Sequence, residues 1–144
     1  KQMIRFMSGL NVSTQVTTYA HSIHVAKIAR VLLDGVLKYK PELLKGVFGY
    51  KNTEEVLKHK RTLRSFIFSA GKVHDIGKNA IVSAVNNEYL PLTDDEFDII
   101  RLHPRLGEIF LRAVPGLEIF HDTTVGHHPY PYLPAFYCCK GHQQ

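Results

Sequence analysis

The chain has 144 residues, 44% hydrophobic and 22% charged, which excludes a disordered or fibrous protein and is long enough to bury the core of one globular domain. Its formal charge of +5, from 18 Lys and Arg against 13 Asp and Glu, is a modest excess that favours phosphate-bearing partners without demanding them, and its spread along the chain makes nucleic acid an unlikely one. The densest basic group, KHKRTLR at 58–64, has no aromatic ladder beside it and reads as a solvated helix face.

The two cysteines, Cys138 and Cys139, are adjacent, which gives neither a disulfide framework nor a zinc knuckle and makes a reducing cytoplasm the expected setting. No apolar run approaches the roughly 20 residues of a membrane span, and no signal peptide opens the chain. An opening at Lys1 in place of Met fits a segment of a longer protein.

From about Thr14 to Tyr39, the residues His21, Val25, Ile28 and Leu32 recur at helical spacing, so His21 is expected to share the apolar face. Pro41 and the glycines of KGVFGYKN mark a loop or broken segment, after which Thr53 is placed to cap a second long helix. There Leu63, Ile67, Ala70 and His74 repeat the spacing and bring a second histidine inward. In LTDDEF at 92–97, Thr93 and Glu96 form a capping box, and acidic residues in the first turn complement the helix dipole. That helix carries Phe97, Ile99 and Ile100 toward His103, where Pro104 either ends or bends it or opens the next one. Further helices are expected from Arg105 to about Ala113 and, beyond a Pro115-Gly116 turn, from Leu117 to His128. The remainder, PYPYLPAFYCCKGHQQ, has no helical period and reads as a loop. No alternating strand pattern competes, so the expected fold is all-α, a single bundle of about five to seven helices over residues 1–144.

His21, His74, Asp75, His103, His127 and His128 come from different helices and fall on or beside apolar faces. One inward histidine is most simply a hydrogen-bonded core residue. A whole set of His and Asp groups there carries a desolvation cost that metal coordination would offset. Imidazole and carboxylate together ligate Zn, Mn, Fe or Ni, and a carboxylate can bridge two ions. Two ions roughly 3.5–4 Å apart can hold opposite oxygens of a phosphodiester and lower the pKa of a bridging water. Metal-dependent hydrolysis of a phosphate ester is therefore the expected chemistry. Lys78, one turn beyond His74, either supplies a cation to a substrate phosphate or is a solvated lysine near a helix end.

HSIHVAKIA (21–29), VHDIGK (73–78), LTDDEFDIIRLHPRLG (92–107) and GHH (126–128), in that order, resemble the HD superfamily of metal-dependent phosphohydrolases, and within it the HD-GYP phosphodiesterases. The resemblance implies an HD-type helical bundle with two divalent transition-metal ions. It makes His21, His74 and Asp75 metal ligands, with Asp75 bridging and catalytic. His103, His127 and His128 serve the second metal, and Lys78 is a catalytic, substrate-binding contact to phosphate. The implied reaction is hydrolysis of a cyclic dinucleotide such as cyclic di-GMP by metal-activated hydroxide, in a protein with fused or partner signalling domains.

The sequence also departs from this pattern. HHPYPYLPAFYCC stands where the HD-GYP branch has an acidic residue and a D-G-x-G-Y-P loop, and no acidic residue follows His128 to match the family's last metal-ligating Asp. Thr17 occupies the position where some members carry a Glu for a third metal, which argues against a trinuclear centre. Residues 38–60 lengthen the family's usual spacing and read as an inserted loop, lid or partner surface. His24, His59, His121 and His142 match no ligand and read as structural or surface residues. Two alternatives remain beside the cyclic-dinucleotide enzyme: an HD phosphohydrolase on another nucleotide phosphate, and a catalytically degenerate signalling or binding module.

Overall fold

A computed structural model describes residues 16–81 and 91–128. Among these residues there are six α-helices, joined by turns and short 3-10 segments, and no strand, so the chain is all-α as expected. The expected helix start near Thr14 and the loop after His128 lie outside the described residues.

Helix α1 (Val16–Tyr39) runs antiparallel to α3 (Lys60–Val73). Along the seam His21 meets His74, Ala26 meets Gly71, Arg30 lies over the Phe68 ring, and Asp34 pairs with Arg64 at 3.3 Å. A Cβ added to Gly71 would lie 2.6 Å from the Ala26 Cα, so the two backbones approach as closely as they do only because both residues are small.

This crossing corrects the expected face of α1. Its buried residues are Thr18, Ser22, Ala26 and Leu37, whereas Ile28 and Leu32 are 59% and 65% exposed. A close seam admits small side chains and turns the branched ones outward, so the apolar period marked the wrong stripe.

Between α1 and α3 the chain makes two 3-10 turns, Pro41–Leu44 and Val47–Gly49, and then the short α2 (Thr53–Lys58). The α2 cap is Asn52, whose Oδ1 accepts from the Glu55 amide at 2.9 Å, one residue before the expected Thr53. His59, with non-helical φ −100 and ψ 18, separates α2 from α3, so the expected long helix is two. Leu37, Val56 and Leu63 bury a small core at this end, with Leu33, Leu44 and Tyr50 packed around it.

The larger core lies at the other end, where Ala70, Val73, Ile76, Leu111, Leu117 and Phe120 pack together. Helix α4 (Asp94–Ile100) opens with the expected capping box: the Thr93 amide donates to Glu96 Oε2 at 2.8 Å, and the Glu96 amide donates to Thr93 Oγ1 at 3.3 Å. Helix α5 (His103–Arg112) begins at His103 with Pro104 in its first turn, so the proline starts a helix there. The buried Glu108 of α5 is held by Arg105 at 2.6 Å and Arg112 at 2.9 Å on the same helix. The expected helix from Leu117 to His128 is a 3-10 turn, Glu118–Phe120, followed by α6 (His121–Gly126).

Two glycines bring these pieces together. A Cβ on Gly77, in the 3-10 turn Ile76–Ala80, would collide with the His103 carbonyl and lie 2.5 Å from the Gly107 amide nitrogen. A Cβ on Gly107 would lie 2.5 Å from Thr124 Cγ2 in α6. The glycines of HDIGK and HPRLG therefore let three backbone segments meet at the place where their histidines converge.

Candidate metal centre

The histidines are aimed by helix ends. The last carbonyls of an α-helix lack intrahelical partners, and here three of them are taken up by an imidazole three residues further on. His74 Nδ1 donates to the Gly71 carbonyl at 2.7 Å, His103 Nδ1 to that of Ile100 at 2.7 Å, and His127 Nδ1 to that of Thr124 at 2.6 Å. A carbonyl only accepts, so each Nδ1 carries the proton and each Nε2 presents a lone pair. This is the tautomer that a metal-ligating histidine uses.

All three Nε2 atoms face Asp75, which is 1% exposed. Its two oxygens divide the histidines. Asp75 Oδ2 lies 3.4 Å from His74 Nε2 and 3.5 Å from His21 Nε2, and accepts from Lys78 Nζ at 2.9 Å. Asp75 Oδ1 lies 3.1 Å from His103 Nε2 and 3.2 Å from His127 Nε2. His128 packs beside this second group, its ring tilted against that of His127 with centres 4.2 Å apart and edge-on to that of His103 at 5.2 Å. Two ligand sets result, His21-His74-Asp75 and Asp75-His103-His127-His128, each with its donor atoms within 4.8 Å of one another.

The donor chemistry fits cations. His103 Nε2 and His127 Nε2 are 3.0 Å apart, and both are close to Asp75 Oδ1, so three lone pairs converge on one small volume. A single proton relieves one of these contacts, whereas a cation relieves all three.

The electrostatics of the side chains agree. Burial works against charge on Asp75, and the ammonium of Lys78, which donates to Oδ2 at 2.9 Å, favours it. Burial lowers the His128 imidazole to about 4, with His127 and His103 adding to the effect and Asp75 opposing it. Burial also lowers His21, again against Asp75, with His74, Lys78 and His127 contributing. Both imidazoles are neutral at pH 7, as ligands must be.

A pH dependence follows for the metal-free chain. Unfolded histidine titrates near 6.5 and folded His128 near 4, so between these values the unfolded chain binds a proton that the folded chain does not. Stability is complete above pH 6.5 and is lost as pH falls through that window. His21 acts in the same direction. Thermal melts in chelator should give a lower midpoint at pH 5 than at pH 7.5, and an equal or higher one at pH 5 would refute the assignment of these imidazoles.

All seven site residues expected from sequence thus lie together, with His21 the outlying one at 54% side-chain exposure. The unassigned histidines lie elsewhere: His24 is exposed, His59 stacks on Tyr50 at 4.8 Å, and His121 contacts Asp122 at 3.1 Å. His142 lies outside the described residues. The close-packing glycines and the three aiming carbonyls were not foreseen. A histidine three residues after a last-turn carbonyl is the signal that could have found the latter.

Comparison with known proteins gives one partial match. Over 62 residues the chain is 40% identical to Cyclic di-GMP phosphodiesterase PA4108 of Pseudomonas aeruginosa, covering 41% of this chain and 14% of that protein. The chain therefore spans a small part of the curated relative it matches. No family model matches, and no solved structure matches.

Proposed function

We propose that the chain is the metal-dependent phosphodiesterase domain, HD-GYP-like, of a larger signalling protein, and that its substrate is a cyclic dinucleotide such as cyclic di-GMP. The observation that carries this reading is the division of the histidines between the two oxygens of one buried carboxylate. His21, His74 and Asp75 would hold one divalent ion, and Asp75, His103, His127 and His128 a second, with Fe, Mn, Ni or Zn compatible with the donors. When bound, such ions supply Lewis acidity, an activated water and neutralisation of charge building at phosphorus. The partial likeness to a cyclic di-GMP phosphodiesterase supports the substrate class. No described helix is long and apolar enough to cross a membrane.

The chain's own part is to orient the phosphate and hold charge. Asp75 stays ionised in its buried position, and Lys78, 21% exposed, extends an ammonium beside it. From there Lys78 can reach a nonbridging phosphate oxygen while keeping its contact with Asp75. Lys78→Ala should retain metal and lose at least roughly a hundredfold in turnover, as loss of a charge-stabilising donor does. Metal analysis alongside initial rates checks this, and unchanged turnover would remove Lys78 from the site.

A second reading is favoured by the residues that follow the double histidine. PYPYLPAFYCC in place of D-G-x-G-Y-P suits a phosphohydrolase acting on another nucleotide phosphate. Assaying the metal-loaded chain on cyclic di-GMP and on nucleoside polyphosphates separates the two. Cleavage of cyclic di-GMP alone supports the first reading, cleavage of the polyphosphates alone the second, and metal binding without turnover a binding module.

A further inference from the structure

We propose that the end of the bundle opposite the His/Asp cluster is a docking surface for membranes rich in anionic lipid. Residues 38–64 contain eight Lys and Arg and three Glu, a net charge of +5 equal to that of the entire chain, so the rest of the sequence balances to zero. All eight basic residues are exposed. They belong to the end of α1, the two 3-10 turns, α2 and the start of α3, which pack together around Leu37, Val56 and Leu63. Even with Asp34, which pairs with Arg64 at 3.3 Å, the described residues carry their positive excess at this end.

The same end exposes bulky apolar side chains among the lysines. Tyr39 and Leu43 are each 69% exposed, Phe48 is 50% and Leu57 41%. Lys38 lies 4.7 Å over the Tyr39 ring. Phe48 has φ 51, a left-handed conformation that a bulky residue rarely adopts, in a turn between Gly46 and Gly49. That turn sets the Phe48 ring edge-on against Phe66 at 4.9 Å while half its surface stays in water.

An anionic bilayer suits this mixture. Lysines near such a surface are attracted to its phosphates and carboxylates, while Tyr, Phe and Leu enter the headgroup region. A nucleic acid would use the charges but leave Leu43 and Leu57 in water, and it would need a run of stacking rings. From Lys60 to His74, α3 spans about 20 Å, so docking through this end leaves the His/Asp cluster facing away from the membrane.

The test is sedimentation of the full chain with vesicles of phosphatidylcholine, with and without phosphatidylserine, at low and high salt. Binding is expected only with phosphatidylserine and only at low salt. Lys40→Glu/Lys45→Glu/Lys51→Glu should lower the bound fraction at least tenfold, and Tyr39→Ser/Leu43→Ser should lower it severalfold with the charge intact. Lys27→Glu, an exposed charge on α1 outside this region, should change it little. Circular dichroism and metal content are read on every variant, so a misfolded protein is not counted as a lost surface. Absence of binding by the folded chain, equal binding to neutral vesicles, or displacement by double-stranded DNA at equal phosphate concentration would each overturn the proposal.

Discussion

Asp75→Asn is expected to abolish binding of both ions while leaving the helices intact. The side chain is 1% exposed and lies within 3.5 Å of four imidazole nitrogens, so its role depends on charge and on having two equivalent oxygens. An asparagine keeps the shape. It also offers an amide N–H that the bare Nε2 of a histidine can accept, so the fold should tolerate it. What it lacks is the anion common to both ligand sets, and a neutral amide cannot bridge two cations. Metal content should fall from about two ions per chain to none, and turnover by a factor on the order of a thousand or more. Far-ultraviolet dichroism should be unchanged. Full metal occupancy in Asp75→Asn would remove this carboxylate from the centre.

Gly77→Ala should have the largest effect on stability of any single methyl addition near the site. The new Cβ would meet the His103 carbonyl and the Gly107 amide. Both are backbone atoms, so no side-chain rotation relieves the collision. Overpacking of this kind costs about 3 kcal/mol or more where backbone must move. The displacement has a chemical signature as well: α5 carries His103, so moving it away separates His103 Nε2 from Asp75 Oδ1. A chain that still folds should lose the ion of the His103 set before that of the His21 set. Gly126→Ala is the control, since nothing lies within 4 Å of its Cβ position. Denaturation midpoints for the two variants test this, and equal midpoints would show that the glycine crossing has no mechanical role.

The all-α architecture and the site were legible because they rest on local signals. The capping box at Thr93 and Glu96, the proline behind His103 and the helical spacing of Leu63, Ala70 and His74 each act within a turn or two of chain. The grouping of the His and Asp residues was expected from the cost of turning so many inward without a ligand, although only His74, Asp75 and His103 are buried and His21 is exposed. What escaped was decided by packing between distant segments. The inward stripe of α1 was misread because the Ala26-Gly71 crossing selects small residues, a choice made by α3 and invisible in α1 alone. The cap at Asn52 and the break at His59 were missed because Thr53 and a continuous apolar period are equally good local readings. The division of the histidines between two sides of Asp75 was implied by the HD-GYP resemblance, but the three carbonyls and two glycines that hold it were not foreseen.

The most direct test is the metal stoichiometry of the anaerobically purified chain, measured by elemental analysis with protein concentration from amino-acid analysis. The two-sided arrangement around Asp75 predicts about two transition-metal ions per chain. His74→Ala should cost the ion on the Oδ2 side and His103→Ala the ion on the Oδ1 side. A wild-type chain that binds one ion at saturation, or none, would contradict the central claim that a single buried carboxylate joins two metal positions.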